Sequence, residues 1–278
     1  MEYVEAKKII KPILSSDGAG VKLKRSIGVE PSYYDPFLML DEFGSDNKDD
    51  YIGGFPAHPH RGIETVTYML HGEFEHEDST GSKGKMKAGD VQWMKTGSGI
   101  IHSEQPAKSG GKLQGCQLWI NMPAKLKMSN PDYIYINSDE IQTYEDEEKR
   151  IKTIAGKFKN AEGVIKGHNV EPIYFDIELI KNKEFQFDLP EKHNSFIYLV
   201  NGEIEIGGKK HSQLKDSTLI LLTQGKRLNI KSVTNSKFLL ISGKPINEQI
   251  ARGGPFVMNT RSEILQAFED YQSGKFGS

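Results

Sequence analysis

Two stretches of this chain echo each other. Tyr68-Met-Leu-His-Gly-Glu-Phe-Glu and Tyr198-Leu-Val-Asn-Gly-Glu-Ile-Glu share an apolar run, a turn with glycine and a second alternating run, about 130 positions apart. Gly89-Asp-Val-Gln-Trp-Met likewise matches Lys215-Asp-Ser-Thr-Leu-Ile at a slightly different offset, as an indel in the intervening loop would produce. A duplicated strand-turn-strand unit restricts the fold to two copies of one β-domain, and 278 residues are enough for both.

The rest of the sequence agrees. Short apolar or alternating runs recur between Gly, Asn, Asp and Pro, and helical periodicity is scarce until the end. Phe37–Leu40, Glu64–Leu70, Val91–Met94, Cys116–Ile120 and Tyr133–Ile136 read as strands in the first half. Ile173–Ile180, Phe185–Leu189, Phe196–Val200, Thr218–Leu222 and Phe238–Ile241 do so in the second. The polar, acidic stretch Asn137–Arg150 suits a connector, which predicts an N-terminal domain over 1–140 and a C-terminal domain over 141–278. One helix is expected at the end of the second domain. Thr260 and Glu263 fit a capping box, Ile264, Phe268 and Tyr271 form an apolar stripe, and Gly274 fits a stop.

Charged residues make up 27% of the chain, but their signs nearly cancel to a net charge of -2, so no basic footprint for direct nucleic-acid binding is expected. The N-terminus has no apolar signal core and no stretch is long enough to span a bilayer, which predicts a cytoplasmic protein without a membrane partner. The lone Cys116 alternates with Leu118 and Ile120 and reads as a packed core thiol in a reducing compartment.

Chemistry concentrates in two short segments. In Phe55-Pro-Ala-His-Pro-His, His58 and His60 stand one strand period apart, so an extended backbone projects both imidazoles from one face. Thr96-Gly-Ser-Gly-Ile-Ile-His-Ser-Glu repeats the device with His102 and Glu104, and Gly97 and Gly99 allow a tight turn into that strand. Two such strands facing each other bring three nitrogens and a carboxylate to one point, a donor set suited to iron, copper, nickel, zinc or manganese. Glu64 lies four positions after His60 and rivals Glu104 as the carboxylate. By the offsets of the two echoes, the counterparts in the second half are Asp188 and Pro190, then Leu228 and Ile230. The second unit has lost the set, so one ion per chain is expected. His71 and His76 flank a turn in a charged hairpin, and His168, His193 and His211 have no ligand-type partner at strand spacing; all five read as solvated or structural. Lys83, Lys85, Lys87 and the run Glu145–Glu148 read as solvated surface, and Phe55, Met69 and Trp93 as core near the ligand strands.

Together, Asp35-Pro-Phe-Leu-Met-Leu-Asp-Glu-Phe, Phe55-Pro-Ala-His-Pro-His-Arg-Gly-Ile-Glu-Thr-Val, Gly89-Asp-Val-Gln-Trp-Met, Gly-Ile-Ile-His-Ser-Glu ending at Glu104, and Arg252-Gly-Gly-Pro-Phe resemble the pirin family of the cupin superfamily. The resemblance implies an all-β bicupin: two tandem cupin-type β-barrels (double-stranded β-helices) with a C-terminal helical segment. It assigns one divalent ion, Fe(II) foremost, to the N-terminal barrel on His58, His60, His102 and Glu104. It thus selects Glu104 over Glu64, which stands at the usual cupin glutamate position and is left a supporting role. The resemblance further implies a quercetin 2,3-dioxygenase type of reaction on a small aromatic substrate with O2, Glu104 accepting the substrate's hydroxyl proton. Its alternative is a non-catalytic, redox-dependent regulator acting through a protein partner.

Overall fold

The computed structural model describes residues 3–28, 34–107, 111–207, 209–212 and 217–276. Within them the chain forms two compact units, one of residues 13–138 with 246–278, the other of residues 1–12 with 139–245. Each unit is built from one seven-stranded and one four-stranded antiparallel sheet, so the duplication read from the two echoes extends to the topology of whole domains. Lys215 and Asp216 of the second echo lie outside the described residues.

In the first barrel the seven-stranded sheet runs in the order Asp132–Ile136, Val91–Lys95, Ile63–His71, Gln114–Asn121, Phe37–Phe43, Val21–Ile27, Ile13–Asp17. The four-stranded sheet runs Phe55–His60, Ile100–Pro106, Glu73–Asp78, Lys83–Lys87. In the second barrel the large sheet runs Ala6–Ile10, Thr218–Leu222, Asn194–Asn201, Ser236–Gly243, Ile173–Leu179, Lys149–Ala155, Thr143–Glu145. Its small sheet runs Glu184–Asp188, Arg227–Ser232, Glu203–Ile206, Lys209–Ser212.

The two terminal segments depart from the continuous halves expected at residue 140. Ala6–Ile10 pairs with Thr218–Leu222, taking the edge that Asp132–Ile136 takes beside Val91–Lys95 in the first barrel. An edge strand left bare would expose a row of unpaired amides, and the N-terminus supplies the missing partner. At the other end, the helix Arg261–Gln272 belongs with residues 13–138 instead of the second barrel. Its capping box is formed as the sequence predicts, and Gly274 donates its N–H to Tyr271 O at the stop. Ile264 is buried, and Phe268 and Tyr271 reach the ring of Phe256. The attachment is also polar. Buried Arg61 pairs with Asp270 at 2.8 Å, donates to Ser98 O at 2.6 Å and lies 4.4 Å from the ring of Phe276. A buried guanidinium requires such partners, which fixes where the helix docks.

Cys116 is buried, as expected of a core thiol. Lys83 and Lys85 make ion pairs with Glu77 and Glu73 across an exposed hairpin. Of the remaining histidines, His71 is exposed, His168 accepts the Val170 N–H, and buried His193 bonds Ser242. The side chain of His211 lies outside the described residues.

Candidate metal centre

The site occupies the face of the small sheet that looks into the first barrel. Strand Phe55–His60 pairs antiparallel with Ile100–Pro106, setting His102 directly across from His58 and Ile100 across from His60. The turn before the second strand needs Gly97, whose φ of 48° is left-handed and where a Cβ would stand 2.1 Å from Ser129 O. A register shift follows between His102 and Glu104, so Glu104 lies across from Phe55 on one side and from His76 on the other.

The imidazoles converge. Ring centroids of His58 and His60 are 4.8 Å apart, those of His58 and His102 4.3 Å, and those of His60 and His102 5.0 Å. One ligand atom from each lies within 4.8 Å of the others. His102, His76 and Glu104 form a second such triplet, with His102 common to both. The quartet read from the sequence is thus brought into one neighbourhood, but Glu104 enters it through His102 and in the company of His76.

Hydrogen bonds set the tautomers. A backbone carbonyl can only accept, so His58 donates from Nδ1 to Pro56 O at 2.8 Å and His60 from Nδ1 to Pro255 O at 3.3 Å. This leaves the Nε2 lone pairs free. His60 Nε2 and both ring nitrogens of His102 are buried with no hydrogen-bond partner. Burial, followed by the neighbouring His58, pushes His60 down to about 3. Burial, then His60, His58 and His76, holds His102 well below the ordinary histidine value. Neutral imidazoles with orphaned lone pairs are costly to bury and are the form a cation binds, so these residues fit a metal ion.

Glu104 is 1% exposed and accepts from Thr67 Oγ1 at 3.3 Å and from Gln117 Nε2 at 3.3 and 3.5 Å. Its rival Glu64 faces elsewhere. Gly62, at φ 78°, breaks the strand after His60, and Glu64 then has the opposite parity to Thr67. Its carboxylate accepts the Trp93 indole N–H at 2.7 Å. Met69 is buried in a cluster with Phe43 and Phe74, as a core residue.

His76 takes the structural and not the solvated of its two expected roles. It is 3% exposed, its ring lies 5.3 Å from that of His102, and Tyr133 stacks on it at 5.1 Å. Gln92 donates to its Nδ1 at 2.8 Å, so Nε2 carries the proton toward Asp78 at 3.3 Å. With both nitrogens engaged, His76 buttresses His102 and Glu104. The alternation of Phe74, His76 and Asp78, all buried on one strand, was the available signal.

A cavity of about 420 Å³ opens onto His58 and His60, walled by Met39, Phe43, Phe55, Gln117 and Trp119, with Arg25, Asp41 and Arg252 also lining it. No helix among the described residues is long and apolar enough to cross a membrane.

Comparison with known proteins places this geometry. The sequence profile described as Pirin matches residues 20–120 and that described as Pirin C-terminal cupin domain matches residues 174–277. A pirin-like protein of Caulobacter vibrioides is 42% identical over 97% of this chain and 98% of its own length. Human pirin is 37% identical over 98% of this chain and 94% of its own. The crystal structure of a quercetin 2,3-dioxygenase from Acinetobacter baumannii superposes with a TM-score of 0.88 at 30% identity, covering 99% of both chains. With both halves matched in order and two barrels of identical strand plan, this chain belongs to the pirin family of the cupin superfamily.

Proposed function

We propose that this protein is a mononuclear metal-dependent dioxygenase of the quercetin 2,3-dioxygenase type, holding one divalent ion, Fe(II), on His58, His60, His102 and Glu104. The observation that carries the reading is the set of buried imidazoles with unpartnered Nε2 atoms beside a cavity of about 420 Å³ walled in part by aromatic rings, within the usual size range of small-molecule sites. The likeness to the Acinetobacter baumannii quercetin 2,3-dioxygenase supports it.

In this reading a flavonol and dioxygen give an ester-linked carboxylic acid and carbon monoxide. When bound, the ion would supply Lewis acidity to the flavonol 3-oxygen. Phe43, Phe55 and Trp119 hold the flat rings and exclude water. Glu104 accepts the 3-hydroxyl proton on a carboxylate oxygen. Thr67 and Gln117 hold that carboxylate in place with neutral donors. His76, fixed by Gln92 and Asp78, keeps the strand carrying Glu104 in register.

The test is metal analysis of protein purified without added ions, then an aerobic flavonol assay on the same sample. About one iron per chain, with flavonol absorbance lost as oxygen is consumed, is the expected result. An iron-loaded protein that leaves both unchanged overturns the catalytic reading in favour of a regulator acting through a protein partner.

A further inference from the structure

The cavity over the histidines carries a cation that the flavonol reading does not use. Of its two arginines, Arg25 is committed: it donates from Nε and one terminal nitrogen to the two oxygens of Asp41, at 2.9 and 2.7 Å, and lies 3.7 Å from exposed Asp17. Arg252 has no such carboxylate among the described residues. Among the described residues it donates one hydrogen bond, at 3.3 Å, to the backbone carbonyl of Gly28. Asp41 is near enough to attract it, but both oxygens of that carboxylate are engaged by Arg25. The Arg252 guanidinium instead lies over the Trp119 ring at 5.0 Å. Trp119 is 7% exposed with its indole N–H unpartnered, and its other neighbour is His60, edge-on at 5.0 Å. A single indole thus links the histidine cluster to a guanidinium, and the loop is shared as well, since Pro255 O, three residues after Arg252, orients His60.

We propose that Arg252 and Trp119 form an anion subsite, through which the cavity also takes a planar aromatic or enolic acid whose carboxylate sits on Arg252 while its hydroxyl end faces the histidines. The inference rests on the histidine cluster being the reacting centre. Three physical reasons support it. Partial burial, then the nearby Arg25, disfavour the Arg252 cation more than Asp41 favours it, so an incoming anion would compensate that charge. A guanidinium stacked on an aromatic face keeps its edge free for two parallel hydrogen bonds to a carboxylate. The indole extends the flat surface on which such a ring would lie.

Calorimetric titration of the full-length protein with 6-hydroxy-2-naphthoate and with 2-naphthol, which lacks the carboxylate, tests this. Both probes are run against metal-free and metal-loaded protein. In metal-free wild type the carboxylate probe should bind about tenfold more tightly than the naphthol. Arg252→Gln should abolish that preference while leaving naphthol affinity and metal content unchanged, and Arg252→Lys should restore part of it. A preference that survives Arg252→Gln, or that appears only with metal bound, overturns the subsite and leaves the metal assignment standing. A preference that depends on Arg252 in a protein that takes up no metal keeps the subsite and removes the reacting centre.

Discussion

The two barrels share one strand plan and differ in what fills it. Pairing register gives the correspondence. Leu228 stands opposite Phe187 as His102 stands opposite His58, and Ile230 opposite Ile206 as Glu104 stands opposite His76. The Thr67, Gln92 and Gln117 positions of the first barrel are Ile197, Ile220 and Leu240 in the second. Each of these positions is thus matched by an aliphatic or aromatic side chain, and all but half-buried Phe187 belong to the second barrel's buried core. One interior buries imidazole nitrogens without hydrogen-bond partners, while the other is filled by apolar side chains. A duplicated fold can therefore separate function from stability, one copy carrying strained polar groups and the other an ordinary core.

Four experiments would break or sharpen that contrast. The largest effect is expected from His102→Ala, which removes the residue common to both ligand triplets. Metal affinity should fall by more than about 100-fold, and the rise in melting temperature on metal addition should vanish. Retention of one ion per chain in elemental analysis would show that the cluster is not the site. In the second barrel, Leu228→His should lower stability by about 2–4 kcal/mol without raising metal stoichiometry, because a buried imidazole there meets no partner. Urea unfolding and metal analysis of one preparation check both statements. Converting the supporting groups of the first barrel to their counterparts, with Thr67→Ile and Gln117→Leu together, should weaken metal binding about 10-fold or more while costing little stability. A double variant with undiminished metal affinity would separate the supporting groups from the site.

The smallest effect concerns Lys127, 1% exposed, which donates to Gly62 O, Asn121 Oδ1 and Val257 O at 2.7–2.8 Å. Burial pulls this lysine from 10.5 down to about 7. Between those values the unfolded chain binds more protons than the folded one, so unfolding free energy should rise with pH across the window. Lys127→Met should flatten that rise in denaturant titrations at pH 7 and 9. An unchanged slope would assign it to another group.

Legibility followed the range of the interaction. His58, His60 and His102 could be found because a strand fixes side-chain direction every second residue, and each pair lies on an unbroken strand. Glu64 was ambiguous because the rule fails at Gly62, where a left-handed residue resets the parity. The same sensitivity displaced the expected counterparts in the second barrel. Counting along the chain gives Asp188 and Pro190, while the ladder gives Phe187 and Leu189, because a one-residue slip turns a strand over. Leu228 and Ile230 fell in register and are buried in the core as expected. His76 was passed over because its hairpin is charged, although its partners Gln92 and Asp78 lie on that hairpin and the next strand.

By itself the sequence determined the all-β class, the duplication, the loss of donors from the second copy and the histidine pairs, since each follows from local periodicity or from comparing the chain with itself. Only the tertiary structure decided that the termini exchange barrels, that Pro255 and Arg252 reach the cavity beside His60, and that His76 stands behind His102. Those contacts join segments far apart in the chain through edge pairing and burial of charge, and no spacing rule along a strand carries that information.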